Sequence, residues 1–135
     1  MGSISMQGNY AVQIESYAER HFIKSFRKKY KSHWDITLLA IIAELERIDA
    51  LLLTNRAEII IGTDEVKIIK TKFKIARSNE SATSSGNRCI VAWYPTKRRV
   101  SVLLVYGKTD IGDGNETAVW KRLIKDNYPE LQDIL

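Results

Sequence analysis

The amino-acid sequence predicts an α+β fold, in which an antiparallel sheet is packed by an N-terminal helical hairpin and a C-terminal helix. Three observations support this prediction. Apolar residues recur at helical spacing over residues 16–53, the periodicity changes to that of extended strands over residues 58–106, and a helical pattern returns at residues 116–127. The chain has 135 residues, the size of one domain, so we expect residues 1–135 to form a single domain.

The predicted elements have local support in the sequence. Ser16 and Glu19 have the spacing of a capping box at the start of the first helix, and Asp35 is a suitable cap for the second. Pro129 is expected to end the last helix. Residues 1–8 are expected to be disordered or to derive from cloning. The predicted elements are a strand at residues 10–15, helices at 16–30 and 35–53 joined by a turn at 32–34, strands at 58–61, 66–76, 88–94 and 100–106, a polar loop at 77–87, and a helix at 116–127.

The composition indicates a basic protein that does not span a membrane. Lysine and arginine number 21 against 16 aspartate and glutamate, and the resulting net charge of +5 favours a polyanionic partner. No apolar run is long enough for a transmembrane helix, so we expect no membrane partner. The single cysteine, Cys89, excludes an intrachain disulfide and fits a reducing cytoplasm, which is the expected location.

The most basic segment is KTKFKIAR at residues 70–77. Alternate residues of a strand point to the same face, so Lys70, Lys72 and Lys74 are predicted to form a row of positive charge, with Arg77 beyond it. Such a row is suited to holding nucleic acid. It is equally consistent with a solvated edge strand whose lysines prevent aggregation.

Metal and cofactor chemistry are not indicated by the sequence. His21 and His33 do not have the spacing of metal ligands, and Cys89 has no ligand partner nearby in the sequence. The chain has neither a Walker loop nor a glycine-rich dinucleotide motif. We therefore expect no metal and no cofactor.

Cationic side chains can nevertheless support RNA cleavage. The reaction needs a base near the ribose 2′-hydroxyl, a proton donor for the leaving 5′-oxygen, and positive charge around the phosphorane. Clustered lysines repel one another, so one of them can lose its proton near neutral pH, whereas arginine stays charged and clamps phosphate through two hydrogen bonds. The cations on predicted strands or at strand ends are Lys70, Lys72, Lys74, Arg77, Arg88, Arg98, Arg99 and Lys108.

Three segments make the sequence resemble a known family. They are the strand KTKFKIAR, the turn SSGNR that leads into the strand CIVAWY, and the stretch VLLVYGKTD followed by NETAVWKRLIKDNYPE. In this order, after a helical hairpin, they resemble the RelE/ParE superfamily of toxins from bacterial toxin–antitoxin operons, and the C-terminal piece is similar to RelE-type cytotoxic translational repressors. The resemblance implies a RelE-like fold, ribosome-dependent endoribonuclease activity on mRNA, and a cognate antitoxin that neutralises the chain in a hetero-oligomer.

The resemblance also implies a set of site residues. RelE uses two alternating lysines on a strand, which correspond to two of Lys70, Lys72 and Lys74, and we favour Lys72 and Lys74. The RelE arginine that follows Ser-Ser-Gly corresponds to Arg88. The cations left to bind nucleic acid around this site are Lys70, Arg77, Arg98 and Arg99.

The sequence departs from the RelE pattern at two positions. The arginine that follows Gly-Lys in RelE is Thr109 here, which leaves Lys108 as the nearest cation. The C-terminal tyrosine of RelE has no counterpart, and Glu116 is the candidate acid or base in that region. Glu116 also suits the first turn of a helix, where an anion is stabilised by the helix dipole.

Two alternatives on the same fold remain open. A ParE-type toxin binds DNA gyrase and cleaves nothing, and a catalytically inactive module would only bind nucleic acid or antitoxin. The departures at Thr109 and at the tyrosine position are consistent with the inactive module, and the fold alone does not separate either alternative from a ribonuclease.

Overall fold

The structure is a computed structural model that describes residues 4–5, 10–107, 109–111 and 115–135. Its architecture is α+β, and the fold class predicted from the sequence is confirmed. The elements are strands β1 (Ile4–Ser5) and β2 (Ala11–Ile14), helix α1 (Ser16–Ala18), a π-helical segment (Glu19–Ile23), helices α2 (Lys24–Tyr30), α3 (Ser32–Leu45) and α4 (Ile48–Leu51), strands β3 (Ala57–Gly62) and β4 (Lys67–Phe73), helix α5 (Ala82–Ser85), strands β5 (Asn87–Tyr94) and β6 (Arg99–Tyr106), helix α6 (Glu116–Asn127) and a 3₁₀ segment (Pro129–Ile134).

The sheet has six strands in the order β1-β2-β6-β5-β4-β3. Strand β6 lies between β2 and β5 and is buried on both faces, which explains its continuous apolar sequence. Pairing is antiparallel except between β2 and β6, which run parallel. Ile4 and Ser5 pair with β2, so part of the segment expected to be disordered belongs to the sheet.

The N-terminal helical hairpin turns earlier than the sequence suggested. The predicted turn at residues 32–34 is wrong, because α3 begins at Ser32 and the chain reverses at Lys31, whose φ is 52° and ψ is −122°. Trp34 is fully buried and stacks on Phe26 at a ring-centroid distance of 4.7 Å, which requires it to lie on the inner face of a helix. Asp35 is therefore a first-turn residue and not the cap.

The predicted capping box at Ser16 and Glu19 does not form. Glu15 is the N-cap residue, it makes no side-chain cap hydrogen bond, and its carbonyl accepts from the backbone N–H of Glu19. The chain from Ser16 to Tyr30 is helical throughout, with the π-helical segment between α1 and α2.

Two apolar layers cover the sheet. The helical hairpin packs on one face, around Trp34, Phe26 and Phe73, while α6 and the 3₁₀ segment pack on the other face through Trp120 and Ile124. Trp120 is fully buried, as expected for a core residue. Within the described ranges, no helix is long and apolar enough to cross a membrane.

The segment between β4 and β5, predicted as a polar loop at residues 77–87, contains a folded turn of helix. Ser81 and Ser84 form a reciprocal capping box at the start of α5. Gly86 ends α5 in the left-handed conformation, with a φ of 75°, which glycine adopts without the strain other residues meet. This segment therefore delivers β5 at a fixed position beside the end of β4.

Candidate nucleic-acid interface

A row of polar side chains crosses the sheet at the end where β4 finishes and β5 begins. The strand register places Lys72 opposite Arg88, and Arg88 opposite Tyr106. Residues directly opposite each other on neighbouring strands point to the same face, so these three side chains share one face. Tyr106 packs in the same apolar layer as Trp120 of α6, which identifies this as the α6 face of the sheet.

Lys70 lies on the same face, two residues before Lys72, and it contacts two carboxylates. Its Nζ is 3.9 Å from Oε1 of Glu58 on β3 and 3.9 Å from Oε2 of Glu116 at the start of α6. Only 19% of the Lys70 side chain is exposed. Its charge is thus balanced within the protein, and Lys70 is a weaker phosphate ligand than the sequence suggested.

Glu116 also accepts a short hydrogen bond. The hydroxyl of Tyr106 donates to Oε2 of Glu116 at 2.6 Å. Burial raises the pKa of Tyr106 well above its ordinary value, and the hydrogen bond to Glu116 and the charge of that carboxylate raise the pKa further, although the charge of Arg88 lowers it. Tyr106 is therefore a protonated donor across the working pH range, and Oε2 of Glu116 is bound by both Tyr106 and Lys70.

Arg88 is anchored to the segment that precedes it. Its Nη1 donates to the carbonyl oxygens of Asn87 at 2.9 Å and Ala82 at 3.3 Å, and its Nη2 donates to the carbonyl of Thr83 at 3.2 Å. These bonds place a permanent positive charge at the C-terminal end of α5. They also fix the orientation of the guanidinium at the start of β5, where the register pairs Arg88 with Lys72.

Lys74 is not part of this row, which corrects the expectation of three alternating lysines. Strand β4 ends at Phe73, so the alternation of side chains ends there too. Lys74 is exposed, its Nζ donates to the carbonyl of Ser78 at 3.4 Å, and it lines a cavity of about 660 Å³ beside α3. The two alternating lysines on this face are therefore Lys70 and Lys72.

The other predicted cations lie apart from the row or outside the described residues. Arg77 is exposed after β4 and lines a cavity on the hairpin side with Tyr30. Arg99 and Tyr106 are the two ends of the eight-residue strand β6, about 23 Å apart, so Arg99 and the neighbouring Arg98 belong to the opposite end of the sheet. Lys108 lies outside the described residues.

Arg98 and Arg99 contact aromatic rings at their end of the sheet. The guanidinium of Arg98 lies 4.4 Å from the ring centroid of Tyr10, and that of Arg99 lies 4.4 Å from the ring centroid of Tyr94. Such cation–π contacts stabilise the end of the sheet. A single nucleotide bound at the row would not reach these two residues.

Cys89 is unsuited to covalent chemistry. It is fully buried between Arg88 and Ile90, and burial raises the pKa of the Cys89 thiol to about 12. Within the described ranges, no group of three or more histidine, cysteine, aspartate or glutamate residues could hold a metal ion.

Comparison with known proteins identifies the fold. No protein-family model matches the chain, and no curated protein sequence matches it. Among solved structures, the chain is similar to the archaeal RelE–RelB complex from Pyrococcus horikoshii OT3, with a TM-score of 0.54 over 76% of this chain and 98% of that chain, at 14% identity. The chain therefore has a RelE-like fold.

Sequence reasoning missed two members of the site. Glu58 lies on β3 and Lys70 lies on β4, so the contact between their side chains depends on the register of these two strands. Tyr106 ends the segment VSVLLVY, in which nearly all residues are apolar, so its polar hydroxyl does not stand out in the sequence. A signal for Tyr106 was present, because a tyrosine at the end of a buried strand usually has a hydrogen-bond partner for its hydroxyl.

Proposed function

We propose that this protein is the toxin of a toxin–antitoxin pair and that it cleaves mRNA held on the ribosome. The observation that carries the proposal is the strand register that aligns Lys72 with Arg88, next to the carboxylate of Glu116. The RelE-like fold supports it, because a solved structure of that fold is a RelE–RelB complex.

The row supplies the groups that RNA cleavage needs. Arg88 would stabilise the charge that develops on the phosphorane, and Lys72 would contact the scissile phosphate. Lys108, which lies outside the described residues, stays a proposed assisting cation, whereas Lys74 and Arg77 lie on the hairpin side, away from the row. The row is open to solvent at Glu116, whose side chain is 45% exposed.

The small number of acid–base groups at the row favours dependence on the ribosome. His21 lies in the π-helical segment, where its ring contacts that of Tyr17, and His33 lies in α3, so neither histidine is on a strand that carries the row. An open surface with few acid–base groups gains most from a scaffold that holds the RNA for in-line attack, and positioning alone is worth several kcal/mol. The ribosome would be that scaffold, with a cytoplasmic location for the protein.

The partner that controls this activity would be an antitoxin. The net charge of +5 favours an acidic antitoxin segment, which would compete with RNA for the same cations. A toxin–antitoxin hetero-oligomer would then be the resting form of the protein.

The test combines growth and cleavage assays. Inducible expression of the wild-type chain should stop translation, and the purified protein should cut a message on ribosomes programmed at an A-site codon but leave the free message largely intact. Arg88→Ala should lose both effects. Lys28→Ala is the matched control, because Lys28 is an exposed cation of α2 on the hairpin side.

Two results would overturn the proposal. Inhibition of DNA gyrase with no RNA cleavage would place the protein with ParE-type toxins, the alternative on the same fold. Equal cleavage of free and ribosome-bound message would reject the dependence on the ribosome.

A further inference from the structure

Within the described part of the chain, Glu116 is bound at one of its two oxygens, Oε2. Tyr106 donates to Oε2 at 2.6 Å, and Lys70 lies 3.9 Å from the same oxygen. The Glu116 side chain is nevertheless 45% exposed, because it lies at the edge of α6 where the row is open to solvent. Oε1 is therefore the oxygen left for a substrate.

The hydroxyl of Tyr106 has a fixed donor role. Tyr106 is 1% exposed, and its ring is held in the apolar layer with Trp120, so the hydroxyl cannot swing towards solvent. The raised pKa of Tyr106 keeps the hydroxyl protonated. A rigid donor of this kind fixes the plane and direction of a carboxylate more firmly than a mobile lysine does.

We propose that Tyr106 is a positioning residue which, with Lys70, holds Oε2 of Glu116 so that Oε1 takes the proton from the ribose 2′-hydroxyl. This inference rests on the proposed function and assigns the base of that same site to a carboxylate instead of a lysine. The Nζ of Lys70 lies 3.9 Å from the carboxylates of both Glu58 and Glu116, so Lys70 is engaged within the protein and is assigned a positioning role.

Cleavage is an attack of the ribose 2′-oxygen on the neighbouring phosphorus. The 2′-hydroxyl proton passes to Oε1 of Glu116, the 2′-oxygen forms a bond to phosphorus, and the bond from phosphorus to the 5′-oxygen breaks with its electron pair on that oxygen. The ammonium of Lys72 gives a proton to the 5′-oxygen. The products are a 2′,3′-cyclic phosphate and a 5′-hydroxyl, and water restores the proton to Lys72 and removes it from Glu116.

The charged and polar groups around Glu116 come from four strands and one helix. On the strands they are Glu58 on β3, Lys70 and Lys72 on β4, and Arg88 on β5. The neutral hydroxyl of Tyr106 on β6 completes the surroundings of Glu116, which lies on α6.

A double-mutant cycle tests the inference on programmed ribosomes. Glu116→Gln should lower kcat by about 100-fold or more, the usual contribution of a general base. Tyr106→Phe removes one hydroxyl and should lower kcat by about 10-fold, with KM unchanged. If Tyr106 acts through Glu116, adding Tyr106→Phe to Glu116→Gln should cause no further loss.

Tyr128→Phe is the matched control, because the Tyr128 hydroxyl is also buried and donates to the carbonyl of Leu103 at 2.7 Å, on the α6 side but outside the row. It should leave kcat unchanged. A 10-fold loss from Tyr106→Phe in both backgrounds, or full activity of Tyr106→Phe, would overturn the inference while leaving the proposed function intact. A wild-type protein that cleaves no RNA would overturn both.

Discussion

Replacing Lys72 should change the salt dependence of RNA binding, whereas replacing Lys74 should not. Four cations lie within residues 70–77, and their spacing makes Lys70, Lys72 and Lys74 look equivalent. The structure separates them. Lys70 is paired with two carboxylates, Lys74 turns to the carbonyl of Ser78 beyond the end of β4, and Lys72 lies beside Arg88 in the row.

The size of the effect follows from the number of phosphates neutralised. Each phosphate contact on single-stranded RNA contributes about −0.7 to the slope of log K against log salt. Lys72 and Arg88 together predict a slope of about −1.4, and Lys72→Ala should reduce it to about −0.7. Equal participation by Lys70, Lys72, Lys74, Arg77 and Arg88 would instead give about −3.5.

Fluorescence anisotropy of a labelled single-stranded RNA, titrated at several salt concentrations, measures this slope. Lys74→Ala has the same change in net charge as Lys72→Ala, so it controls for charge alone. Equal flattening of the slope by both variants, or a wild-type slope near −3.5, would refute the assignment of phosphate contacts to the row.

Three further predictions concern groups fixed by the fold. Arg88→Ala should lower the cleavage rate by about 100-fold or more and should speed amide hydrogen exchange in α5, because Arg88 both faces the phosphate and binds the carbonyls of α5. Lys31→Gly should raise the free energy of unfolding in urea by about 1 kcal/mol, since a φ of 52° with a ψ of −122° strains lysine and not glycine. Burial raises the pKa of Cys89 to about 12 in the folded protein, so the stability that the neutral thiol contributes is complete below pH 9 and is lost as the pH rises towards 12. Cys89→Ala lacks this titration. The difference in free energy of unfolding between wild type and Cys89→Ala should therefore decline by up to about 1.4 kcal/mol per pH unit above pH 9.

Local signals in the sequence predicted the elements that depend on neighbouring residues. Helix α6 runs from Glu116 to Asn127, as its apolar spacing indicated, and the side chain of Asn115 caps it by accepting from the backbone N–H of Ala118. Strand β6 lies inside the sheet, which agrees with its apolar sequence. These features need no information about distant parts of the chain.

Features that depend on tertiary contacts could not be predicted in this way. Glu116 reaches Lys70 across 46 residues of sequence, and this approach requires the sheet register and the docking of α6 together. The turn at Lys31 lacks a glycine or asparagine to mark its positive φ, and it forms because burial of Trp34 fixes the start of α3. The site is therefore a tertiary arrangement: the sequence pointed to Lys70, Lys72, Arg88 and Glu116, but the contacts that join them to Glu58 and Tyr106 depend on the fold.

In the Ser-Ser-Gly-Asn-Arg motif, the side chain of the second serine, Ser85, connects the end of β4 to the start of β5 through hydrogen bonds. The hydroxyl of Ser85 lies 2.7 Å from the carbonyl oxygens of both Phe73 and Ala82, and it accepts from the backbone N–H of Asn87 at 3.0 Å. Ser85 is buried, so these groups would lose their partner without replacement by water.

Ser85→Ala should therefore lower the free energy of unfolding by about 1–3 kcal/mol, whereas Ser84→Ala, at an exposed position of α5, should change it by no more than about 0.5 kcal/mol. Because Ser85 sets where β5 begins, its loss should also displace Arg88 from Lys72 and weaken RNA binding, although Ser85 points to the hairpin side of the sheet. Urea unfolding and RNA anisotropy measure the two effects. Equal stability of the two serine variants, or unchanged RNA affinity in a destabilised Ser85→Ala, would show that the motif does not position the arginine.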